Sequence, residues 1–415
     1  MIQQCTRCLY TSLHPLNITF NDQGLCSGCE VHEEKDVIDW VQKEDHLKTL
    51  LKGYRNKSGN NYDCIIPVSG ARDSYFIVHM VKNVFGMNPL LVTYNKQYNT
   101  DRGIRNLANL RIQFDCDIMT LTVAPEIVKK ITRATIKKVG SIYWHCIAGQ
   151  TVYPVQTAVK FKIPLIIWGA HQGIDQVGMF SHHDFVEMTR KYRKEHDLMG
   201  IEAEDLINDS DNITINDVKS YLYPEDIEIE KVGVRGIYLN NYMRWDTKLQ
   251  HEQMINLYKY ETALQTRTID HYNDVDCFNY SDVHDYLKYL KHGYGKITDH
   301  ICREIRFKRI DKKRALHIIQ IFEDKKPQYL SQFLEWLGIT ENAFNFLSDL
   351  HRNKVLWMRN DNWEWDKIKN ITIKDNEGDD FTIREEENLS FVITPNKRIN
   401  YTDDKYILIG KGYNE

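Results

Sequence analysis

The sequence predicts an α/β fold built on a doubly wound parallel sheet. Short apolar segments alternate with helical patterns between residues 62 and 168, as in a sheet covered by helices on both faces. A four-cysteine element precedes this region, and helical patterns with a small β tail follow it. The predicted parts are a cysteine element with a linker helix (1–58), the sheet domain (59–210), a mostly helical region for substrate or partner (211–360) and a β appendage (361–415).

The bulk composition is that of a soluble globular protein. Of 415 residues, 42% are hydrophobic and 27% are charged. No apolar run approaches the roughly 20 residues that span a bilayer, and the first residues lack the pattern of a signal peptide. The net charge of −4 gives no overall attraction to nucleic acid. We expect a cytoplasmic protein without a membrane span or a nucleic-acid partner.

Two C-x-x-C pairs, Cys5 with Cys8 and Cys26 with Cys29, stand 17 residues apart near the N-terminus. Four thiolates at this spacing can surround one Zn²⁺ tetrahedrally, with a short hairpin between the pairs. Four sulfur ligands leave no open coordination position, so we expect the zinc to be structural. A redox pair is the alternative, although one C-x-x-C would suffice for that role.

The predicted sheet domain follows an amphipathic helix pattern at 30–52 and a polar break at 57–61. Its predicted strands are 64–68, 89–94, 117–122 and 164–168, and its predicted helices are 74–85, 100–114, 125–139 and 150–161. Pro125 suits the first turn of its helix, whereas Pro154 lies inside the last one.

The stretch Ser-Gly-Ala-Arg-Asp-Ser at 69–74 joins the first predicted strand to its helix. In such a corner, backbone N–H groups and the helix N-terminus converge on a point that suits an anion. Gly70 permits close approach of the backbone, while Ser69 and Ser74 supply hydroxyls. The stretch matches neither the Walker nor the dinucleotide-binding motif. It predicts a site for the pyrophosphate end of ATP, with an ordinary strand–turn–helix corner as the alternative.

Ligands of a doubly wound sheet bind beyond the carboxyl ends of its strands. That rule brings together residues 69–74, 93–97 and 169–175, which follow three different predicted strands. Because three separate stretches are brought to the same place, together they predict one crevice more strongly than any single motif does.

Several stretches together give the chain a more specific resemblance. They are the four-cysteine element, Ile-Ile-Pro-Val-Ser-Gly-Ala-Arg-Asp-Ser at 65–74, Leu-Val-Thr-Tyr-Asn at 91–95, Gly-Ile-Arg-Asn-Leu at 103–107, Pro-Leu-Ile-Ile-Trp-Gly at 164–169 and Tyr-Leu-Lys-His-Gly-Tyr-Gly-Lys-Ile-Thr-Asp-His at 289–300. With them the chain resembles the N-acetyl sugar amidotransferases, PP-loop enzymes of the N-type ATP pyrophosphatase class with a HUP-like fold. The resemblance covers most of residues 1–350.

The resemblance implies an ATP-dependent, AMP-forming enzyme that converts the acetamido group of a nucleotide sugar or nonulosonic acid into an acetamidino group. Such enzymes serve lipopolysaccharide O-antigen or flagellin-glycan biosynthesis. Ammonia is implied to come from a separate glutaminase subunit with a cyclase-like partner that channels it, and the phosphate chemistry calls for Mg²⁺. We assign Asp73, Arg72 and His171 to catalysis, and Ser69, Gly70, Ala71, Asp73, Ser74, Thr93, Tyr94, Asn95 and Gly169 to ATP binding.

Two stretches depart from the family pattern. The family has Ser-Gly-Gly-Lys-Asp-Ser, whereas Ala71 and Arg72 stand here. Alanine fits only if its φ is negative or strain is tolerated, and arginine keeps the charge without the point-donor geometry of lysine. The family commonly has Glu-His after Trp-Gly, whereas Ala170 precedes His171 here. These departures leave open a catalytically degenerate scaffold of the amidotransferase complex.

The segment 286–314 is basic, with ten Lys or Arg against three acidic residues. In a helix, Asp299, Arg303 and Arg306 share one face, where bidentate arginine contacts could hold a sugar diphosphate or a carboxylate. A solvated basic helix is the alternative. With the family resemblance, the predicted substrate-binding residues are Tyr294, Asp299, His300, Arg303 and Arg306.

The remaining segments carry weaker signals. Residues 178–216 indicate a loop with helical parts beside the pocket, residues 234–265 a helix, and residues 329–353 two helices. Short β patterns begin at 371, 381, 391 and 406 and predict the small antiparallel appendage. We expect Cys146 to be a core cysteine on a strand and not the partner of a catalytic histidine.

A tRNA-modifying PP-loop ATPase, of the thiolase or lysidine-synthetase type, is the alternative enzyme. It would share the zinc knuckles and the ATP chemistry. It should also present a broader basic face for a phosphate backbone.

Overall fold

The computed structural model describes residues 2–16, 18–208 and 211–368. Its core is a five-stranded sheet with strand order β3-β2-β1-β4-β5, in which every pairing is parallel. The strands are β1 (Cys64–Pro67), β2 (Pro89–Tyr94), β3 (Ile118–Leu121), β4 (Leu165–Trp168) and β5 (Arg235–Tyr238). This arrangement confirms the predicted fold class.

The centre of the sheet is buried on both faces. Ile65 of β1 lies opposite Leu90 of β2 and Ile166 of β4, and all three side chains are buried. Consecutive apolar residues of this kind are typical of a parallel sheet covered by helices on both sides.

The longer helices of the sheet region precede β4, whereas short helical segments lie between β4 and β5. The first group is α1 (Ser27–Glu34), α2 (Trp40–Tyr54), α3 (Arg72–Val78, continued by a π-helical turn at His79–Val84), α4 (Asp101–Phe114), α5 (Pro125–Val139) and α6 (Trp144–Phe161). The short pieces are α7 (Gln172–Asp175), α8 (Arg190–Tyr192), a π-helical turn (Arg193–Asp197), α9 (Ile215–Val218), α10 (Asp226–Val232) and 3₁₀ turns at Glu204–Leu206 and Lys219–Tyr221.

The region after β5 is helical and ends in a hairpin. A 3₁₀ turn (Leu239–Asn241) leads to α11 (Thr247–Tyr258), α12 (Phe278–His292), α13 (Lys296–Arg306), α14 (Lys312–Phe322), α15 (Leu330–Leu337) and α16 (Glu341–His351). The hairpin pairs β6 (Trp357–Arg359) with β7 (Trp365–Lys367) in antiparallel fashion. The predicted β patterns that begin at residues 371, 381, 391 and 406 lie outside the described residues.

Helix α6 begins six residues before its predicted start at 150, and it carries Cys146. The prediction that Cys146 lies on a strand is therefore wrong. Its predicted burial is confirmed, because the cysteine is fully buried in the core. Buried residues lie on several faces of α6, as in a helix surrounded by protein, and Pro154 remains inside the helix.

The segment predicted as one helix at 234–265 is a strand followed by a helix. Arg235 pairs with Leu165 of β4, so β5 extends the sheet at its edge. Gly236 of β5 packs against Met188, where an added Cβ would lie 2.7 Å from the methionine Cβ. A strand of four residues beside a charged helix leaves little periodic signal, and this caused the error.

The helical region returns over the carboxyl ends of the strands. Thr100, just before α4, donates its backbone N–H to the carbonyl of Asp276 at 3.0 Å. On α4, Arg105 forms a salt bridge with Glu261 at 2.9 Å. The N-terminal cysteine element packs against α13, where the Tyr10 hydroxyl donates to Asp299 at 2.7 Å.

No helix among the described residues combines the length and apolar character needed to cross a bilayer.

Candidate active site and metal centre

A cavity of about 370 Å³ lies at the carboxyl ends of β1, β2, β4 and β5. The 69–74 loop lines it after β1, Lys96 after β2, and Gly169 after β4. The opposite wall comes from residues 273–276 and from His300 on α13. The volume is within the range of small-molecule sites, and the position is where doubly wound sheets bind ligands. All three stretches predicted to form the crevice contribute residues to it.

The 69–74 loop is held by its own two hydroxyls. The backbone N–H of Ser69 donates to Ser74 Oγ at 3.0 Å, and that of Ala71 donates to Ser69 Oγ at 3.2 Å. These two N–H groups are therefore engaged within the loop. Each serine oxygen acts as an acceptor in its bond and keeps its own hydrogen for donation to a ligand oxygen.

Gly70 and Ala71 have the backbone conformations that their side chains allow. Gly70 has φ +74°, and an added Cβ would lie 2.8 Å from Leu107 Cβ and 2.9 Å from the Leu107 backbone nitrogen. Only glycine fits there without displacing α4. Ala71 has φ −93°, so alanine follows the loop without strain. Alanine at position 71, where the resembled family has glycine, thus carries no conformational cost.

Helix α3 begins at Arg72, directly after the loop. The backbone of Arg72 is described, but its side chain lies outside the described part of the chain. Asp73, in the first turn of α3, lines the cavity together with Ser69 and Ser74. The carboxylate and the two hydroxyls are oxygen ligands of the kind that Mg²⁺ takes, and the hydroxyls can also donate hydrogen bonds to phosphate oxygens, so these residues fit a Mg²⁺–nucleotide complex.

The end of β4 and the neighbouring β5 supply a flat aromatic wall. Trp168 and Tyr238 both line the cavity, with their rings 6.4 Å apart and nearly parallel at 28°. Gly169 follows, and an added Cβ would lie 3.0 Å from Ile77 and 3.2 Å from Trp245. Ala170, where the resembled family has glutamate, also lines the cavity.

Of the three predicted ATP-binding residues at the end of β2, Thr93, Tyr94 and Asn95, only Tyr94 lines the cavity. Its hydroxyl bonds to His145 Nδ1 at 3.0 Å and to the Tyr221 hydroxyl at 2.8 Å. Thr93 is buried on β2, and Asn95 donates to Thr122 Oγ1 at 3.3 Å; neither lines the cavity. Their contact with a nucleotide stays a prediction.

His171 lies behind the cavity and does not line it. Its Nδ1 accepts a hydrogen bond from the Gly173 backbone at 3.1 Å, which caps α7. The ring packs against Tyr238, with the centroids 4.7 Å apart. Burial lowers the pKa of His171 to about 4, so its imidazole is neutral near pH 7. Its predicted catalytic role would have to act through Tyr238 or after a movement.

A buried ion pair forms the wall opposite the 69–74 loop. Lys96 Nζ lies 2.7 Å from Asp276 Oδ2 and 3.3 Å from Cys277 Sγ. Burial is the largest single influence and lowers the pKa of Lys96, but the Asp276 carboxylate together with Cys277 and neighbouring tyrosine and cysteine groups outweighs it and holds the pKa well above its usual value. Asp274 lies on the same wall, 3.4 Å from Lys296 Nζ. Lys296 also pairs with Asp282, at 2.6 Å, so Asp274 shares its lysine with a second carboxylate.

His300 is the one predicted substrate residue that lines the cavity. Its Nδ1 lies 2.6 Å from Thr268 Oγ1. Burial lowers the pKa of His300 to about 4, and the neutral ring can exchange a hydrogen bond but carries no charge near pH 7. Arg303, one turn later, donates to Asp270 at 3.0 Å outside the cavity lining.

The other predicted substrate residues face the cysteine element. Asp299 accepts from Tyr10 at 2.7 Å, and Tyr294 stacks on His14 with ring centroids 5.3 Å apart. Arg306 donates to the carbonyl of Gln176 at 2.6 Å. The predicted shared face of Asp299, Arg303 and Arg306 contacts other parts of the protein and not the cavity. We therefore keep only His300 from this set in the proposed site.

The four N-terminal cysteines form a cluster suited to a metal ion. Cys5, Cys8, Cys26 and Cys29 are buried, and their sulfurs lie within 4.8 Å of one another. The Cys5–Cys29 and Cys8–Cys26 sulfur distances are 3.9 Å and 3.5 Å. A tetrahedral site with Zn–S bonds of about 2.3 Å needs sulfurs about 3.8 Å apart, so the cluster fits Zn²⁺.

Backbone donors suit a thiolate at Cys5, whereas ionisation of the other sulfurs depends on a bound cation. The backbone N–H groups of Cys8 and Cys26 donate to Cys5 Sγ at 3.4 Å and 3.3 Å. Contacts with the sulfurs of Cys26, Cys5 and Cys8, together with burial, raise the pKa of the Cys29 thiol far above its usual value. A divalent cation would allow all four sulfurs to be ionised, as zinc binding requires.

Sequence reasoning did not predict Asn273, Asp274, Asp276 or Tyr238 as cavity residues. Lys96 lies in the 93–97 stretch that was predicted to border the crevice, but it was assigned no role there. The acidic segment at 274–276 has no periodicity or known motif that distinguishes it from a surface loop. Its place in the cavity depends on contacts with α4, which are distant in sequence.

Two comparisons relate the chain to known proteins. Residues 266–372 match the model of a family described as LPS biosynthesis protein WbpG-like, C-terminal domain. Over 118 residues, 28% of this chain, it is 26% identical to an uncharacterized protein of Methanocaldococcus jannaschii, and the match covers 42% of that protein. The segment that contributes Asn273, Asp274, Asp276 and His300 to the cavity is thus similar to a domain of lipopolysaccharide biosynthesis proteins.

Proposed function

We propose that this chain is an ATP-dependent, AMP-forming amidotransferase of surface-glycan biosynthesis. It would convert the acetamido group of a nucleotide sugar or nonulosonic acid into an acetamidino group. The product would enter a lipopolysaccharide O-antigen or a flagellin glycan. The proposal joins the resemblance to N-acetyl sugar amidotransferases with the WbpG-like match of residues 266–372.

One observation supports the proposal most strongly. A single cavity is lined by Ser69, Asp73 and Ser74 of the 69–74 loop and, opposite them, by Asp276 and His300 of the segment that matches the WbpG-like domain. A nucleotide and a sugar would meet there, as a transfer between them requires.

The chemistry explains why ATP is needed. An amide carbonyl is a poor electrophile because its nitrogen donates electrons into it, and ammonia cannot displace oxide. When the amide oxygen attacks the α-phosphorus, pyrophosphate leaves and the carbon gains a good leaving group. Ammonia then adds to that carbon, the C–O bond breaks, and AMP departs with the former amide oxygen. One ammonia proton is released, and the amidine remains as its cation.

The residues of this chain would bind and orient the substrates and neutralise the charge of the phosphates. The Ser69 and Ser74 hydroxyls have hydrogens to donate to phosphate oxygens, and Asp73 could share a Mg²⁺ ion with them. Mg²⁺ would supply the charge neutralisation that phosphoryl transfer needs.

The aromatic wall of Trp168 and Tyr238 would hold a planar or apolar part of a ligand. Pro154 lacks an N–H group, so the carbonyl of Gln150 has no donor one turn later in α6. Both residues line the cavity, and that carbonyl is a further acceptor for ligand hydroxyls.

Ammonia would come from partner subunits, a glutaminase and a cyclase-like channel, as the resemblance implies. The structural zinc in the cysteine cluster would hold the element that packs on α13.

The proposal is tested by incubating the chain with ATP, Mg²⁺, ammonium and a panel of acetamido nucleotide sugars and nonulosonic acids. We expect AMP, pyrophosphate and a sugar product lighter by the difference between an oxygen atom and an NH group. Hydrolysis of ATP without a changed sugar, or binding of the partner subunits without ATP binding, would favour the scaffold alternative. Salt-sensitive tRNA binding would favour the tRNA-modifying alternative.

A further inference from the structure

His300 lines the cavity with a ring that is held at one of its two nitrogens. Nδ1 lies 2.6 Å from Thr268 Oγ1, whereas Nε2 forms no hydrogen bond with a described residue. The protein completely encloses the unpaired Nε2 atoms of His171 and His251, but it does not enclose that of His300. The residue is 7% exposed, so Nε2 is the polar atom of its ring that a ligand in the cavity can reach.

The Nδ1 side of the ring is fixed by buried groups. Thr268 Oγ1 also accepts the backbone N–H of Asp270 at 3.2 Å, and the Asp270 carboxylate lies 3.8 Å from Nδ1. That carboxylate is fully buried and accepts from Arg303 at 3.0 Å. A negative charge on this side favours the proton on Nδ1, which leaves the lone pair of the neutral ring on Nε2. The ring is therefore oriented as a base whose free nitrogen is open to the cavity.

The other titratable groups of the cavity are less suited to take a proton. Asp276 lies 2.7 Å from Lys96 Nζ. Asp274 lies 3.4 Å from Lys296 Nζ. Burial raises the pKa of each cavity tyrosine, so the phenols keep their protons near pH 7. The carboxylate of the 69–74 loop is assigned to Mg²⁺, so the neutral imidazole is the base that remains for the reaction.

We propose that His300 Nε2 accepts the proton that ammonia loses when it adds to the activated amide carbon. This inference rests on the proposed function and names the catalytic base of its second step. The lone pair of ammonia forms the new C–N bond, and the adduct then carries an ammonium group. One of its protons passes to Nε2, the C–O bond breaks, and its electron pair leaves with AMP. The imidazolium returns the proton to water.

The step needs a base but not a strong one. If AMP left before the proton did, two positive charges would meet at one carbon, so the proton must leave first. An ammonium group on a carbon that also carries oxygen and a second nitrogen is more acidic than free ammonium, so a weakly basic imidazole suffices.

The charged groups around the ring keep it neutral before the reaction. Burial is the largest influence and lowers the pKa of His300 to about 4. Asp270 and Asp274 raise this pKa, whereas Arg303 and Lys296 lower it. The ring is therefore free of a proton near pH 7 and can accept one.

The test separates the two steps in the full chain. Adenylation is measured without ammonia, as exchange of labelled pyrophosphate into ATP in the presence of acetamido nucleotide sugars. Amination is measured as amidine formation with ammonium. His300→Gln keeps a polar amide but cannot take a proton, so we expect it to exchange pyrophosphate at nearly the wild-type rate. Its amidine formation should fall by about 100-fold, as for loss of a general base.

Two further variants keep the test independent of damage to the fold. His292→Gln changes a half-buried histidine outside the cavity and should leave both steps unchanged. His300→Ala removes the ring, so added imidazole should raise its amidine formation by about 10-fold or more without changing its exchange rate.

Equal loss of both steps in His300→Gln, without imidazole rescue in His300→Ala, would assign the residue to binding and overturn the inference. Normal amidine formation in His300→Gln would also overturn it, while the amidotransferase proposal would stand. If wild type exchanges pyrophosphate with no acetamido sugar and forms no AMP from any of them, the proposed function fails and this inference fails with it.

Discussion

Arg306 Nη2 lies 3.9 Å from Cys26 Sγ, and Nη1 of the same guanidinium donates to the Gln176 carbonyl at 2.6 Å. One buried cation on α13 thus joins the cysteine cluster to the chain that follows β4. Gly28 allows this contact, since an added Cβ would lie 2.4 Å from Arg306 Nη2. The metal centre and the sheet domain are therefore mechanically connected through α13.

Replacing Arg306 with methionine should lower the free energy of unfolding by about 1–3 kcal/mol, because the half-buried Gln176 carbonyl loses its donor. Urea denaturation of the metal-loaded protein measures this. Arg102→Met, on an exposed position of α4, is the control and should change little. Equal stability of the two variants would show that the Arg306 contacts contribute nothing.

The cysteine cluster should hold one zinc ion per chain. Cys29→Ser removes one of four ligands and should release most of the metal and lower the unfolding temperature, because metal binding is coupled to folding. Cys116→Ser, a half-buried cysteine outside the cluster, should keep the metal. Elemental analysis of both purified variants measures their zinc content. Full zinc content in Cys29→Ser would contradict a four-cysteine site.

Gly70→Ala should abolish ATP binding, since it combines a positive φ with a contact of 2.8 Å to Leu107 and must move the loop or α4. Gly59→Ala is a close control: it has φ +68°, but no atom lies within 4 Å of the added Cβ. That variant should lose about 1 kcal/mol of stability and bind ATP normally. Calorimetric titration with an ATP analogue measures both. Normal affinity in Gly70→Ala would remove the 69–74 loop from the nucleotide site.

The buried neutral His300 makes stability depend on pH. Its pKa in the folded chain is about 4, below the usual 6.5, so protonation favours the unfolded chain. This contribution is fully present above about pH 6.5 and is lost as the pH falls toward about 4. His300→Gln should flatten the fall in unfolding free energy across this range, whereas exposed His183→Gln should not. Parallel curves for wild type and His300→Gln would contradict the assignment.

The elements with strong local signals were predicted well from the sequence. Helix α5 has the predicted bounds, with Pro125 in its first turn and Gly140 at φ +62° after its end. The apolar runs of β1, β2 and β4 were found because parallel strands are continuously buried.

The errors and omissions come from contacts between distant parts of the chain. Lys96 and Asp276 are 180 residues apart, and no local pattern pairs them. For α13, the sequence predicted which residues share a face but not what that face meets. Asp299 and Arg306 contact the cysteine element, whose packing depends on the whole fold.

The most direct measurement follows the oxygen of the acetamido group. An acetamido nucleotide sugar carrying a heavy-oxygen label in its amide carbonyl is incubated with the chain, ATP, Mg²⁺ and ammonium, and the released AMP is analysed by mass spectrometry. If the cavity activates the amide by transferring AMP to its oxygen, the label must appear in the phosphate of AMP. Unlabelled AMP, with the label retained in the sugar or lost to water, would contradict the account.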